Sequence, residues 1–319
     1  MKAAYYETFG NADVMQVGEL SNPPLSDGQV MIKVAAAGVN PIDWKIRSGA
    51  FADVFLAVFP VVPGWDVAGE IVEIGAGVEG FAVGDPVYAY ARTDTVQYGT
   101  YAELVPVDAT QVALAPERLT LREAASIPVV ALTAWQALIE TADVSSGQTV
   151  LVHAGAGGVG SFAIPLAKWR GARVITTASP AKADYVTQLG ADVVIDYKRA
   201  DWADQVREGA PGGVHAILDG VGGETGVKSL DLVNPGGHMV CLNDAPDDAI
   251  AAEKSVRLTR LYAAPSGAQL AEIAKLIDQH ILPLPPIEVF PLDNAIEAMR
   301  KSEGGRTAGK LVIAVDLAL

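Results

Sequence analysis

The stretch Val150-Leu-Val-His-Ala-Gly-Ala-Gly-Gly-Val-Gly160 constrains this chain more than any other. A short apolar run ends in Gly155-x-Gly157-x-x-Gly160, and the helix-compatible segment Ser161 to Trp169 follows at once. Strand, glycine turn and helix in that order make a seat for a dinucleotide pyrophosphate. The strand delivers the backbone, the glycines clear side chains from the approach, and the helix start offers unpaired N–H groups at its positive dipole end. Glycine turns are common, so the pattern alone does not separate a nucleotide seat from a plain strand-to-helix turn. Its context does. Arg173 to Ala178 and Asp192 to Ile195 read as second and third strands at the spacing of a βαβαβ unit.

A chain of 319 residues exceeds one average domain, and half of its residues are hydrophobic, enough for a sizeable core. Lys and Arg number 23 against 38 Asp and Glu, a formal net charge of −15. Such a surface repels a phosphate polymer, which argues against nucleic acid and anionic membranes as partners. One cysteine, Cys241, leaves no intramolecular disulfide and no multi-cysteine metal cluster, in keeping with a reducing compartment. The first residues lack the apolar core of a signal peptide. The apolar run Val54 to Trp65 is broken by Pro60 and Pro63 and falls short of the ~18 residues of a spanning helix. A soluble, cytoplasmic protein is expected.

Before Leu119 the chain shows short β-like runs, Val30 to Ala35, Gly69 to Ile74 and Pro86 to Ala91, between tight turns at Asp27-Gly28, Gly75-Ala-Gly77 and Gly84-Asp85-Pro86. No long helical period appears there, so residues 1–118 are expected to form a mostly β domain. A helix is expected over Leu121 to Glu140, interrupted near Pro128. Residues 119–265 alternate helix and strand, and the strands are apolar along their whole length, as in a parallel sheet covered on both faces. The expected fold class is therefore α/β, a doubly wound parallel sheet joined to a mostly β domain. Residues 266–319, with a helix from Gly267 to Gln279 and a strand from Gly309 to Val315, resemble neither another βαβ unit nor a linker. They are expected to return to the first domain.

Several ordered motifs give the chain a family likeness. They are Gly38-Val-Asn-Pro-Ile-Asp-Trp-Lys-Ile-Arg-Ser-Gly49, Pro63-Gly-Trp-Asp-Val-Ala-Gly-Glu70, Gly80-Phe-Ala-Val-Gly-Asp-Pro-Val87, Tyr98-Gly-Thr-Tyr-Ala-Glu103 and Leu132-Thr-Ala-Trp135. The glycine loop, Asp219-Gly-Val-Gly-Gly223 and Gly309-Lys-Leu-Val312 complete the set. With these the chain resembles the medium-chain dehydrogenase/reductase superfamily, and within it the zinc-free, zeta-crystallin-like NADPH quinone oxidoreductases. The resemblance implies a GroES-like catalytic domain, a Rossmann cofactor domain with the active site in the cleft between them, and homodimers or tetramers, with the homodimer expected here.

By the same resemblance, zinc-dependent relatives carry a cysteine in the place of Asn40 and a histidine in the place of Trp65. Neither residue supplies a soft thiolate or imidazole ligand, and His153, His215, His238 and His280 are scattered, so no metal is expected. For the cofactor, an NAD site places an acid at the end of the second strand, ~20 residues past the glycines. Here that strand ends Thr176-Thr-Ala-Ser179, which favours NADPH; the resemblance implies that Ser179 and Lys182, helped by Tyr197, grip the 2′-phosphate. Asp184 and Asp196 nearby weaken the electrostatic case. Family position places Asn40, Thr133, Gly158, Val159, Val221 and Leu242 around the nicotinamide. Lys310 is read either as a cofactor neighbour or as a surface strand residue. Lys45 stands where many relatives carry a tyrosine. Asp43, Lys45 and Tyr98 lie near the inferred cleft without an arrangement that marks one as an acid, and Asp43 could equally hold the Asn40 loop. Pro165 should bend the helix that follows the glycines. The expected activity is hydride transfer from NADPH to a quinone or another conjugated carbonyl. The competing readings are an enoyl or alkenal double-bond reductase and a non-catalytic NADPH-binding protein.

Overall fold

A computed structural model describes residues 1–305, 307 and 309–316. The chain divides into two compact units. The first comprises Met1–Val129, Ala264–Gln279 and the described part of the segment from Pro285 onward; the second comprises Val130–Ala263 with His280–Leu284. Relative to the sequence boundaries after 118 and 265, the divisions fall after 129 and 263. The first shift has a packing cause: the short helix Leu121–Ala124 lies against the strands Gln29–Val39 and Asp66–Ile74.

The first unit is built on a seven-stranded sheet. Its spatial order is Ile287–Pro291, Lys310–Ala314, Gln29–Val39, Asp66–Ile74, Pro86–Tyr90 and Val112–Leu114, with Leu104–Asp108 also paired to Gln29–Val39. Val30, Ile32 and Val34 alternate along one strand and meet Val67, Ile71, Val87, Val105 and Val107 in one core, as a period of two requires. The strand Lys310–Ala314 runs antiparallel to Gln29–Val39, pairing Leu311 with Val39 and Ala314 with Ala36. The chain's late segment is thus a full member of this sheet. A second sheet holds Met15–Glu19, Lys2–Tyr6, Leu56–Val62 and Thr95–Tyr98 in that order.

One helix in this unit escapes sequence periodicity. Pro41–Arg47 has only seven residues, begins with proline at its first turn, and is closed by the Asp43 carboxylate, which accepts the Asn40 N–H at 2.8 Å. The helical stretch expected over 121–140 is also divided: Leu121–Ala124 and Pro128–Trp135 are separate, and the latter runs into a π-helical turn, Gln136–Thr141. Pro128 therefore starts a helix rather than kinking one.

The second unit carries six parallel strands in the order Val193–Asp196, Arg173–Ala178, Thr149–Val152, Val214–Asp219, Val233–Cys241 and Arg257–Arg260. In chain order this is 3-2-1-4-5-6, the doubly wound arrangement whose strand order reverses beside the first strand. The central strands are mostly buried, and Leu151, Ile175, Ile217 and Met239 share a core with Val206 and Trp202 from the helix Trp202–Gly209. Cys241 ends its strand inside this core, and burial pushes its thiol up to about 12, which leaves it an inert apolar filler. Among the described residues, no helix is long and apolar enough to cross a membrane.

Candidate functional site

In the second unit the strand Thr149–Val152 ends at the point of strand-order reversal, where a dinucleotide is expected to sit. Ala154 turns the chain with φ 54°, and the helix Gly158–Trp169 begins after Gly157, which is extended at φ −80° and ψ 172°. The three glycines differ in purpose. A Cβ on Gly155 would fall 2.0 Å from Thr176 Oγ1, and one on Gly160 would lie 2.6 Å from the Ala154 carbonyl. Both are glycines because strand, turn and helix pack too closely for a side chain. A Cβ on Gly157 would meet, among the described residues within 4 Å, only the Ala154 carbonyl at 3.2 Å. The space beside Gly157 is open, as a cradle for a ligand requires. The first-turn N–H groups of Gly158 and Val159 sit at this end of the helix, where no intrahelical acceptor exists for them. The helix continues through Pro165 to Trp169, and Ser161, whose carbonyl loses the proline's N–H, returns its own hydroxyl to Gly157 O at 2.8 Å.

The same unit carries the other sequence-selected residues of the cofactor reading. Ser179 follows the second strand and leads the turn Pro180–Lys182, with the Lys182 N–H bonded to Ser179 O at 2.8 Å. Tyr197 follows the third strand and is exposed. Val221 and Leu242 are brought together by one buried carboxylate residue. Asp219 Oδ1 accepts the N–H groups of Val221 (2.8 Å) and Gly222 (3.0 Å), while its carbonyl accepts the Leu242 N–H at 2.9 Å. Thr133 is buried in the helix Pro128–Trp135.

The first unit holds a buried polar network around Asn40. The Asn40 Nδ2 donates to Asp66 Oδ2 at 2.8 Å, and Lys310 Nζ donates to Asn40 Oδ1 (2.6 Å), Val39 O (3.0 Å) and Asp66 Oδ2 (3.1 Å). Asp66 Oδ1 accepts the Val129 N–H at 2.7 Å. Asn40, Asp66 and Lys310 are all at most 4 % exposed. Burial pushes the Asp66 carboxyl above the usual carboxylate range, and the Lys310 ammonium beside it opposes that shift. Both ends of the Asn40 amide are thereby fixed, which orients the side chain without ambiguity.

This geometry corrects the reading of Lys310. It is not a surface strand residue: the side chain is buried, and the three protons of its ammonium are engaged inside the first unit. Asp43 proves to be a holding residue: its Oδ2 takes the Asn40 N–H and the Tyr101 hydroxyl at 2.9 Å, and burial raises its carboxyl to about 7. Asp43 also lines a small pocket together with Tyr6, Ile46, Trp65 and the exposed Tyr98. Lys45 is absent from that lining and has its ammonium 5.8 Å from the Trp44 ring. Trp65 packs edge-on against Phe55 and tilts on Tyr90. Sequence reasoning overlooked Asp66, Tyr101 and Tyr6; Asp66 and Tyr101 stood inside quoted motifs, and an acid directly after the buried Trp65 was the available signal.

Residues 26–117 match the family described as alcohol dehydrogenase GroES-like domain, and residues 189–313 match the one described as zinc-binding dehydrogenase. The 2-methylene-furan-3-one reductase of Solanum lycopersicum is 34% identical over 98% of this chain and 79% of its own length. The chain belongs to the medium-chain dehydrogenase/reductase superfamily. Among solved structures, the quinone oxidoreductase from Coxiella burnetii superposes on this dehydrogenase/reductase with a TM-score of 0.88 at 34% identity, covering 99% of both chains. A mycobacterial protein complexed with NADPH gives a TM-score of 0.89 at 33% identity over 99% of this chain and 100% of its own. These likenesses identify an NAD(P)-dependent oxidoreductase and are consistent with the zeta-crystallin-like group.

Proposed function

We propose that this dehydrogenase/reductase is an NADPH-dependent, zinc-independent reductase of quinones and related conjugated carbonyls. The observation that carries the cofactor choice is the end of the second strand, where Ser179 and Lys182 stand in place of a ribose-binding acid. Bound NADPH would supply a hydride from its nicotinamide ring. The chain's part is binding and orientation. Gly158 and Val159 offer N–H groups to the pyrophosphate across the space left at Gly157, and Ser179, Lys182 and Tyr197 hold the 2′-phosphate. Thr133, Val221 and Leu242 are the nicotinamide neighbours in the second unit, and Asn40 is a separate candidate in the first. Ser179→Asp is expected to weaken NADPH binding by tenfold or more, about 1.4 kcal/mol per decade, while sparing NADH. Equal affinity of the parent protein for both cofactors in a fluorescence titration would reject the choice of NADPH.

A catalytic zinc does not fit the residues present. Asn40 Oδ1, Asp66 Oδ2 and Val39 O are the oxygens a cation would use, and the Lys310 ammonium already engages all three. Trp65 presents an indole, which has no ligating lone pair. On the acceptor side, the choice between a quinone and an enal turns on how the reduced product gains its proton. A quinone takes a hydride to become a hydroquinone anion, which gains its proton from water; an enal leaves an enolate that must be protonated at carbon by a positioned acid. Asp43 has its Oδ2 committed to holding the Asn40 loop, which favours the quinone. The double-bond reductase remains the second reading because of the likeness to a methylene-furanone reductase.

The test is NADPH consumption with a benzoquinone and a 2-alkenal, in the presence and absence of a chelator, on protein assayed for bound zinc. Higher kcat/KM for the quinone, unchanged by chelation and without stoichiometric zinc, is expected. Preference for the alkenal would establish the second reading, and no turnover of either would leave a non-catalytic NADPH-binding protein. The homodimer and the cytoplasmic setting expected from the sequence belong to the same proposal.

A further inference from the structure

His153 lies one residue before the turn that opens the glycine loop, and it is only 3 % exposed. It occupies the middle of a hydrogen-bonded chain. The Ala154 N–H donates to Thr177 Oγ1 at 3.1 Å, Thr177 Oγ1 lies 3.1 Å from His153 Nδ1, and His153 Nε2 lies 2.8 Å from Ser229 Oγ. Ser229 in turn donates its hydroxyl to Thr225 O at 2.7 Å. With its own proton spent on Thr225, Ser229 accepts from His153, so the ring carries its hydrogen on Nε2. Nδ1 is then the bare acceptor that takes the Thr177 hydroxyl proton, which leaves the Thr177 lone pairs for Ala154. Burial lowers His153 to about 4, against the raising effect of the Asp219 charge, so the ring is neutral and the chain has one direction. Trp202 packs edge-on at 5.3 Å and closes the ring's remaining freedom.

Ala154 holds φ 54°, a conformation that L residues adopt at a cost of about 1–3 kcal/mol unless neighbours over-determine it. The over-determination is visible: Thr177 binds Ala154 through its side chain and Gly155 through its carbonyl at 3.0 Å. We infer that His153 is a positioning residue for the cofactor, orienting the Thr177 hydroxyl so that the Ala154 turn presents the glycine loop to the dinucleotide pyrophosphate. This rests on the reading of that loop as the NADPH seat.

Two isosteric halves of the imidazole separate this role from simple packing. In His153→Asn the amide oxygen replaces Nδ1 and still accepts the Thr177 hydroxyl, while in His153→Gln the amide nitrogen replaces Nε2 and keeps only Ser229. Both enlarge the space beside Trp202 and should lower Tm by similar amounts. Dissociation constants for NADPH and NADH are measured by fluorescence titration on the intact protein. His153→Asn is expected to stay within about twofold of the parent, whereas His153→Gln and Thr177→Val weaken binding about tenfold, or 1.4 kcal/mol, and Thr177→Ser restores it. Equal loss in the Asn and Gln variants, or affinity that follows Tm across all four, overturns the inference. If the same split appears on NADH in a protein that prefers NADH, the positioning role stands and the NADPH assignment falls. If the parent binds neither dinucleotide, both fall.

Discussion

Asp66→Ala is expected to destabilise the first unit by about 3–5 kcal/mol, because it leaves an ammonium buried without its counter-charge. Lys310 is 4 % exposed and Asp66 wholly buried. With the carboxylate gone, Nζ retains only the Asn40 amide oxygen and the Val39 carbonyl, both neutral, and the Asn40 Nδ2 and Val129 N–H lose their acceptor as well. Removing one partner of a buried pair costs more than removing both, so Asp66→Asn combined with Lys310→Met should recover most of the loss. Urea unfolding followed by tryptophan fluorescence checks this, since Trp65 neighbours the site in the chain. An Asp66→Ala protein within 1 kcal/mol of the parent, roughly the range of an exposed ion pair, would mean that the network is not dry.

Gly155→Ala and Gly157→Ala should fail in different ways. The new methyl on Gly155 overlaps Thr176 Oγ1 at 2.0 Å, and that hydroxyl is pinned by its own bond to Val152 O at 2.8 Å on the neighbouring strand. Relief requires strand and helix to separate in the centre of the sheet, so a loss of several degrees in Tm and of cofactor binding together is expected, as overpacking typically costs about 1–3 kcal/mol or more. Gly157 has an ordinary extended backbone, and among the described residues its methyl meets only the Ala154 carbonyl at 3.2 Å. Its Tm should stay close to the parent's while NADPH affinity drops, because the methyl projects into the cradle. Differential scanning fluorimetry with and without NADPH reads both quantities. Wild-type affinity in Gly157→Ala would move the pyrophosphate away from this loop.

The second unit was the more legible half because its strands recur at βαβ spacing, and Arg173 to Ala178 stands out by its β-branched run Val174 to Thr177. The helix Pro41–Arg47 was hidden by its length: seven residues give too few turns for a period of 3.6 to stand out from the surrounding strands. Around the candidate site, backbone geometry was legible where it is local, as in the helix start after the glycines and the turn after Ser179. The site was illegible where partners are distant in sequence. Lys310 was open to two readings, and neither named Asp66, because a single lysine beside a glycine carries no trace of a carboxylate 244 positions earlier. His153 looked like one of four scattered histidines, and only the fold brings Thr177 and Ser229 to its two nitrogens.

That separation between Asp66 and Lys310 also sets an order of events during synthesis. The contiguous stretch Val130–Ala263 supplies all six strands of the parallel sheet and can close as soon as it leaves the ribosome. The earlier half-built sheet cannot. Leu104–Asp108 covers Gln29–Lys33 early, but the Ala36–Val39 end of that edge waits unpaired, and Asp66 waits without the Lys310 cation, until Lys310–Ala314 is translated and slides into place. At elongation rates of about 5–20 residues per second, that interval is on the order of ten to fifty seconds, during which the nascent chain carries an open sheet edge that a chaperone or a second nascent chain can bind.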